Sequence, residues 1–255
     1  MANIRELKYL NLFPQYLCAL SPSDVHIWHF SLDQFYWCIE KLKKNLSSEE
    51  KQRANSFLFK RDRLRYQTIH GLLREILGLY LNIPPISLKF YSGPYGKPYI
   101  DPSLNSIGIC FNISLSNGIA LVGITLRREI GVDIEEMHKI SEVESLVQTQ
   151  FADYEKKKFY SLSNNQKLPF FYSCWVRKEA LLKAISAGIG NDLSRFNVMH
   201  HNKKAEKVID IPNVEGRTQN WLLKDIELFD NVKCAFCVEG EKYLLSLIQL
   251  NSYAL

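Results

Sequence analysis

The sequence predicts an α+β protein of two similar lobes, each a small, mostly antiparallel sheet packed with helices. A chain of 255 residues is longer than a typical single domain and can form two hydrophobic cores. Segments typical of strands and helices follow one another in much the same order in both halves, although no sequence repeat has a fixed period. We therefore predict a pseudo-twofold pair of lobes, residues 1–126 and residues 127–255.

The predicted N-terminal lobe begins with a strand over Asp24–Ser31, where apolar residues dominate. Ser47-Ser48-Glu49-Glu50 is typical of a helix start, because a hydroxyl can cap the first N–H groups and acids favour the first turn. Apolar residues at helical spacing predict a second helix over Asp62–Leu81, which Pro84-Pro85 ends. The later predicted elements are a strand over Leu88–Tyr91, a turn over Ser92–Lys97, and strands over Ile107–Ile113 and Gly118–Leu126 joined by Ser114–Asn117.

The predicted C-terminal lobe repeats this order, with a strand, then helices, then further strands. The helix around Trp175–Ala184 is indicated by strong helix formers, with no Gly or Pro until Gly188. The predicted strand covers 130–135, the helices cover 141–150, 153–161 and 170–187, and the later strands lie near 194–200, 206–211, 221–229 and 232–239.

The composition excludes several classes of function. A net charge of +5 suits polyanionic ligands or an acidic partner, but it is too diffuse to indicate nucleic-acid binding. No window approaches the ~18 uninterrupted apolar residues of a membrane helix, and Met1–Lys8 lacks the pattern of a signal peptide. The six cysteines lie mostly in apolar segments, which favours buried, reduced thiols. We therefore expect a cytoplasmic protein that binds neither nucleic acid nor membrane.

Two carboxylates lie two residues apart in the predicted strand 130–135. Because side chains alternate along a strand, Asp133 and Glu135 point to the same face, where like charges repel. Mg²⁺ would relieve this repulsion, since it takes oxygen ligands, often one or two carboxylates with water and phosphate. The alternative is a solvated strand edge that carries two acids, and on these residues alone it is the better interpretation.

A second charged cluster lies on the predicted helix about forty residues later. Trp175, Glu179 and Lys183 recur at i, i+4 and i+8 and share one helix face, with Lys178 beside them. The alternative here is an ordinary surface pair between Glu179 and Lys183, which contributes about 0.2–0.5 kcal/mol. The large aromatic ring on the same face favours partial shielding from water, and in such places carboxylates and lysines acquire chemical roles.

Four motifs in order resemble the signature of 4′-phosphopantetheinyl transferases, most closely the larger, Sfp-type branch. G-V-D-I-E at 131–135 and W-V-R-K-E-A-L-L-K at 175–183 are similar to the family's G-(I/V)-D-(I/L)-E and W-x-x-K-E-A-x-x-K motifs. Gly96-Lys97-Pro98 is similar to the G-K-P block, and Phe111–Ser116 is similar to F-N-(I/L)-S-H-S. Any one motif is weak, but four in this order and spacing are a strong signal.

The resemblance implies an enzyme that moves the 4′-phosphopantetheine arm of coenzyme A to a serine hydroxyl of an apo acyl or peptidyl carrier protein. The resemblance also implies that 3′,5′-ADP is released, that Mg²⁺ is the cofactor and that coenzyme A lies in the cleft between the lobes, and we expect a monomer. The nucleophile belongs to the carrier, so the enzyme needs no Ser-His-Asp or Cys-His group of its own. Phosphoryl-type transfer depends mostly on positioning and charge neutralisation.

The resemblance also implies roles for single residues. Asp133 and Glu135 would bind Mg²⁺ at the pyrophosphate, and Lys183 would neutralise charge on the pyrophosphate and the departing ADP. Glu179 would be a third metal ligand or the base that takes the serine proton. A carboxylate bound to Mg²⁺ has a lowered pKa and is a poorer base, and the sequence leaves both roles open. The residues implied to bind coenzyme A are Arg53, Arg65, Lys97, Pro98, Ser114 and Lys183.

Two of these assignments have plain alternatives, since Lys97 could be a solvated turn lysine and Ser114 an ordinary turn residue. Leu115 also departs from the family pattern, which has His there, so one donor to the ligand is missing. Losing one bond to a charged group typically weakens binding by about 1.5–3 kcal/mol. A non-catalytic relative that binds coenzyme A or a carrier protein is therefore the alternative function, although the intact acidic motifs argue against it.

A different Mg²⁺-dependent nucleotide enzyme is a further alternative, but the sequence contains neither a P-loop nor a G-x-G-x-x-G motif. Carrier domains are usually acidic helical modules, so basic and apolar residues near the cleft, around Gln150–Lys158, are expected to contact the partner. The carrier protein and its pathway, whether fatty-acid, polyketide or nonribosomal-peptide synthesis, stay open.

Overall fold

The computed structural model describes residues 5–7, 20–93, 96–185, 193–199, 206–212 and 218–251. The α-helices within these ranges are α1 (Ile39–Asn45), α2 (Ser48–Asn55), α3 (Lys60–Leu81), α4 (Val143–Gln150), α5 (Asp153–Ser161) and α6 (Asn164–Ile185). The strands are β1 (Arg5–Leu7), β2 (Asp24–Ser31), β3 (Phe90–Ser92), β4 (Pro98–Ile100), β5 (Ile109–Ser116), β6 (Ile119–Leu126), β7 (Ile130–Glu136), β8 (Glu206–Pro212), β9 (Thr218–Ile226), β10 (Val232–Glu239) and β11 (Leu244–Gln249).

Two sheets form the centre of the molecule. The first has the strand order β1-β11-β2-β6-β5 and the second β7-β10-β9-β8, while β3 and β4 form a separate hairpin. The second sheet is antiparallel throughout. The first is antiparallel where β6 pairs with β2 and β5, and parallel where β11 pairs with β1 and β2. The predicted α+β class, with small sheets packed with helices, is confirmed.

Three hydrophobic clusters arrange the sheets and helices in layers. The first, which contains Trp28 and Leu72, lies between the first sheet and the helices α1 and α3. The second, which contains Leu181, lies between the second sheet and α4, α5 and α6. The third joins the inner faces of the two sheets and contains Ile27 and Phe236. Because neighbouring side chains on a strand face opposite ways, β2 contributes Trp28 to one cluster and Ile27 to another.

Several secondary-structure elements form where local sequence signals predicted them. Strand β2 has the predicted bounds, Asp24–Ser31. Helix α2 begins with a capping box, in which Ser47 Oγ accepts from Glu50 N at 3.2 Å and Glu50 Oε2 accepts from Ser47 N at 2.8 Å. These reciprocal bonds satisfy two N–H groups that the helix itself leaves free. Among the described residues, none of the helices has the length and apolar character needed to cross a membrane.

Strand β11, the last strand among the described residues, lies in the first sheet between β1 and β2. Its side chains contribute to two clusters, with Leu245 between the sheets and Ile248 in the first cluster. The predicted division at residues 126/127 therefore does not separate the two sheets, because residues 244–249 complete the sheet of the N-terminal lobe. Sequence periodicity did not reveal this parallel, long-range pairing.

Several predicted boundaries also differ from the structure. Strand β5 extends to Ser116, so the hairpin turn consists of Asn117 and Gly118, whose φ angles of 42° and 84° lie in the left-handed region. The predicted strand near 194–200 is wrong at its start, where the structure has a 3₁₀ turn over Leu193–Arg195; residue 200 lies outside the described residues. Helix α6 begins six residues earlier than the predicted 170–187, and its predicted end at 186–187 also lies outside them.

Candidate active site

The edge strand of each sheet contributes to one polar cluster. Strands β5 and β7 lie side by side, and alternate polar residues of β5 point toward β7. Asn112 Oδ1 accepts a hydrogen bond from Val132 N at 2.9 Å, and Ser114 Oγ donates to Asp133 Oδ1 at 2.9 Å. Ser114 therefore lies on a strand and not in a turn, so the interpretation of Ser114 as an ordinary turn residue is wrong.

Asp133 is the centre of this cluster. Its side chain is buried, and Oδ1 accepts from Lys183 Nζ at 2.6 Å as well as from Ser114. Lys183 Nζ also donates to Ser114 Oγ at 3.0 Å, so side chains from β5, β7 and α6 meet at one point. Asp133 Oδ2 is buried and has no hydrogen-bond partner among the described residues. A buried carboxylate oxygen in that state is costly and favours a bound cation.

Gly131 explains why helix α6 lies so close to the acidic strand. A Cβ atom at this position would be 2.0 Å from Ala180 O and 2.4 Å from Ala184 N. Only glycine allows the backbones of β7 and α6 to approach this closely. The close approach places Glu179 and Lys183 of the helix over the acidic side chains of the strand.

Three carboxyl groups of the cluster have raised pKa values. Burial raises the pKa of Asp133, although the Lys183 ammonium group and the Ser114 hydroxyl oppose the increase. Burial also raises the pKa of Glu135, and Asp133 adds to it. The pKa of Glu179 is raised first by burial and then by the charge of Asp133. Three carboxyl groups thus lie in a partly buried cluster with one ammonium group, that of Lys183. A bound cation would relieve the repulsion between the carboxylates.

The donor set fits Mg²⁺ with one qualification. No group of three or more His, Cys, Asp or Glu side chains in the described part of the chain is arranged as a ready metal site. Lys183 occupies Oδ1 of Asp133, which leaves Oδ2 as the open oxygen. Mg²⁺ is commonly bound by only one or two carboxylates, with water and substrate phosphate as the other ligands. Asp133 and Glu135 would be the two carboxylates of such a site, with Glu179 as the third candidate.

Arg65 lies at the edge of the same cluster. Its Nη2 donates to Asn117 Oδ1 at 3.4 Å, at the tip of the β5–β6 hairpin. Asn117 Nδ2 in turn donates to Glu136 Oε2 at 2.5 Å, at the end of β7. Arg53 has a different environment, near the C-terminal end of α2, where its guanidinium carbon lies 5.7 Å from the Phe57 ring centre. Of the two arginines predicted to bind phosphate, only Arg65 is thus linked to the acidic strand by the contacts described.

Lys97 and Pro98 lie apart from the acidic cluster. Lys97 Nζ donates to Glu129 Oε2 at 2.7 Å and to Ile130 O at 2.9 Å, and its side chain is buried. It is therefore not a solvated turn lysine, because Glu129 and the Ile130 carbonyl oxygen accept hydrogen bonds from two of the three N–H groups of its ammonium group. Pro98 is the first residue of β4, paired with Ser92.

Two residues near the helix motif have environments that the sequence did not indicate. Lys178 was predicted beside the face of Glu179, but it is fully buried and lies 2.8 Å from Glu155 Oε2. Trp175 is half-buried and stacks on Phe171 with ring centres 5.7 Å apart. The charged residues of the helix thus lie on two different faces. Lys178 points into the second hydrophobic cluster, while Glu179 and Lys183 point toward β7.

Sequence reasoning also missed the polar residues of β5 other than Ser114. The available signal was the alternation of Asn112, Ser114 and Ser116, which matches the alternation of Asp133 and Glu135 on the strand beside it. Two strands with polar residues at the same period can face each other through those side chains. The prediction of a turn over Ser114–Asn117 removed this possibility.

Comparisons with known proteins identify the family. A sequence model of the 4′-phosphopantetheinyl transferase superfamily matches residues 129–237. The 4′-phosphopantetheinyl transferase HetI of Nostoc sp. is 34% identical over 227 residues, which cover 89% of this chain and 92% of that protein. This chain belongs to the 4′-phosphopantetheinyl transferase superfamily. A putative 4′-phosphopantetheinyl transferase of Synechocystis sp. is 33% identical over 70% of both chains, and the transferase gsp of Aneurinibacillus migulanus is 29% identical over 84% of this chain and 80% of that protein.

Membership confirms the family predicted from the four motifs and the class of reaction. The protein is an enzyme, a 4′-phosphopantetheinyl transferase. The family match includes all of the acidic strand and all of helix α6, so it spans Asp133, Glu135, Glu179 and Lys183.

Proposed function

We propose that this transferase uses coenzyme A and Mg²⁺ to modify a serine of an apo acyl or peptidyl carrier protein, with release of 3′,5′-ADP. The cluster of Asp133, Glu135, Glu179 and Lys183 is the observation that carries the proposal, because it joins acids and an ammonium group where the two lobes meet. In the reaction, the serine oxygen forms a bond to the phosphorus attached to pantetheine. The bond from that phosphorus to the ADP oxygen breaks, and the serine proton leaves to a base.

Asp133 and Glu135 are the proposed metal ligands, and the open Oδ2 atom of Asp133 supports the assignment. Mg²⁺ bound there would neutralise charge on the pyrophosphate. The ammonium group of Lys183 contacts Asp133, and the side chain is 30% exposed. It can therefore also approach a pyrophosphate oxygen and stabilise the negative charge that develops on the departing ADP.

Glu179 is proposed as the base or as a third ligand, and two measurements distinguish these roles. Burial and the charge of Asp133 raise its pKa, which brings a carboxylate closer to the operating pH of a base. As a base it acts only when ionised, so kcat would increase with pH through its pKa, and Glu179→Gln would remove that limb of the profile. As a metal ligand it would have a lowered pKa, and Glu179→Gln would increase the Mg²⁺ concentration needed instead.

The remaining expectations from the sequence complete the proposal. The carrier would dock on α5 and the end of α4, where Tyr154, Lys157 and Lys158 are exposed and offer apolar and basic contacts to an acidic helix. Arg65 and Ser114 would contact coenzyme A from the hairpin side of the cluster, and Arg53, Lys97 and Pro98 remain further candidates. The enzyme would act as a monomer in the cytoplasm.

The proposed function can be tested by incubating the enzyme with coenzyme A, Mg²⁺ and each of a panel of apo carrier proteins. Intact-mass spectrometry of the carrier protein then detects the transferred phosphopantetheine. Asp133→Ala is expected to abolish transfer while the circular dichroism spectrum stays unchanged, since removing one acid relieves repulsion. Glu179→Gln is expected to lower kcat by about 10²-fold or more, and Lys183→Met is also expected to lower it. Glu144→Gln is the matched control, because the Glu144 side chain is 71% exposed on another helix.

Two results would contradict the assignment. Full activity of Asp133→Ala, or full activity of the wild type in excess EDTA, would show that no metal acts at this acid pair. Near-wild-type turnover of both Glu179→Gln and Lys183→Met would show that these two residues form only a surface ion pair.

A further inference from the structure

One hydroxyl group beside the acid pair has two defined partners and no role in the chemistry above. Ser116 Oγ donates to Glu135 Oε2 at 2.9 Å and accepts from Glu136 N at 3.1 Å. A serine hydroxyl has one hydrogen and two lone pairs. Because a backbone N–H can only donate, its bond to Ser116 uses a lone pair and leaves the hydroxyl hydrogen for the Glu135 carboxylate.

This pair of bonds belongs to a row of side-chain contacts between the sheets. Strands β5 and β7 are the edge strands of their sheets. In place of a main-chain ladder, Asn112 bonds to Val132 N, Ser114 bonds to Asp133, and Ser116 bonds to both Glu135 and Glu136 N. A one-residue slip of β7 would turn Asp133 and Glu135 to the apolar side. The row therefore fixes the register that brings both acids to the cluster.

We propose that Ser116 is a positioning residue for the transfer reaction, one that orients the Glu135 carboxylate for the divalent cation and holds β7 in register through Glu136 N. This inference rests on the proposed function, since it takes Asp133 and Glu135 as the metal ligands. Glutamate has several rotatable bonds, and a carboxylate held by a hydrogen bond loses less conformational freedom when a metal binds. Partners of this kind typically change metal affinity by 10–100-fold when they are removed.

Contacts elsewhere on Glu135 support the same reading. Glu135 is half-buried, and its main chain pairs with Lys233 of β10 on the side away from β5. The hydrogen bond from Ser116 therefore orients the Glu135 carboxylate from the side of the β5–β6 hairpin. On the same side, Ser114 orients the carboxylate of Asp133. Both serines lie two residues apart on one strand, as do the two acids, so each hydroxyl matches one carboxylate.

The test measures Mn²⁺ binding to the full chain by electron paramagnetic resonance, without coenzyme A or carrier protein. Mn²⁺ prefers the same oxygen ligands as Mg²⁺. Ser116→Val and Ser116→Thr form the matched pair, since both have β-branched side chains that suit a strand and only threonine keeps the hydroxyl. Ser161→Ala is the control, because that hydroxyl donates to Lys158 O on an exposed helix end. Thermal melting in EDTA reports the fold of each variant.

The Mn²⁺ dissociation constant of Ser116→Val is expected to increase by about 10-fold, while Ser116→Thr and Ser161→Ala stay within about twofold of wild type. If the hydroxyl of Ser116 were merely structural, Ser116→Val would lower the melting temperature and leave Mn²⁺ affinity unchanged. Equal Mn²⁺ affinity of the Val and Thr variants overturns the inference and leaves the proposed function standing. A wild type that binds no Mn²⁺, or an Asp133→Ala variant that binds it as the wild type does, overturns the metal assignment and the inference together.

Discussion

At the scale of single residues, the main feature of the cluster is a buried carboxylate whose cost of burial is only partly offset by its contacts. Asp133 shares its Oδ1 atom between Lys183 and Ser114, while Oδ2 remains buried without a partner among the described residues. Burial of a charge costs several kcal/mol, which one ion pair offsets only in part. The raised pKa of Asp133 is the sign that the balance is incomplete. A cation from outside the chain would complete it.

Leu115 allows a direct test of ligand contacts on β5. It is 41% exposed and points away from β7, because Ser114 and Ser116 on either side point toward it. Leu115→His should therefore cost little packing and should restore the donor that the family pattern has there. Affinity for coenzyme A is expected to increase, and the gain should shrink as pH increases through the imidazole pKa of about 6.5, where the positive charge is lost.

Isothermal titration with coenzyme A, at proposed values of about pH 6, 7 and 8 on either side of that pKa, measures the effect of Leu115→His. Ile107→His is the control, since Ile107 is another exposed aliphatic residue, 42% accessible, placed before β5. If Leu115→His changes affinity at no pH, the side chain at this position points away from the ligand and the alignment of the loop with the family motif is incorrect.

At the scale of secondary structure, α6 connects the chemistry to the second hydrophobic cluster. One face lies on β7 at Gly131 and carries Glu179 and Lys183. The other face buries Lys178, whose ammonium group lies 2.8 Å from Glu155 Oε2 and donates to the carbonyl oxygens of Leu193 and Phe196. An ion pair with both members fully buried thus lies on one side of the helix, while the neighbouring residue Glu179 lies on the face toward β7.

Breaking this buried pair should be far more costly than breaking a surface pair. Lys178→Met leaves the Glu155 carboxylate buried without its cation and is expected to lower the free energy of unfolding by about 3–5 kcal/mol. Adding Glu155→Gln should recover part of the loss, because the amide removes the charge and keeps an acceptor for Ala152 N or Val198 N. Urea unfolding of the single and double variants measures both values.

Lys156→Met is the control for this series, since Lys156 is partly exposed and pairs at 3.6 Å with an Asp153 side chain that is 92% exposed. Its effect should stay below about 1 kcal/mol. A double variant as unstable as Lys178→Met alone would show that the loss comes from packing of the lysine chain and not from the unpaired carboxylate.

At the scale of the whole molecule, local sequence patterns predicted those features that depend only on residues close together in the sequence. The bounds of β2, the capping box at Ser47 and the shared face of Asp133 and Glu135 follow from residues within one element. The buried partners of Lys97 and Lys178 were not predicted, because Glu129 and Glu155 are distant in sequence and meet them only in the folded chain.

The contacts between lobes were the hardest to predict. The side-chain row from β5 to β7 was read as a turn, since serines and Asn117 are typical of turns when their partners are unknown. Strand β11 was missed because its parallel partner, β2, begins at Asp24, and no hairpin turn marks such a pairing. The sequence motifs indicated which residues act together, and the long-range pairing determined where they meet.

The position of β11 has a consequence for how the protein is made. A ribosome delivers β2, β5 and β6 well before residues 244–249, so the first sheet is open along one edge of β2 until those residues emerge. Domains commonly fold in order of synthesis, but here the first lobe must wait for β11, and meanwhile its open edge can pair with other chains. Arrested chains exposed only to residue 243 should be cut by protease within β2 or β6, and chains exposed to residue 251 should resist. Equal resistance at both lengths would show that the first lobe closes without β11.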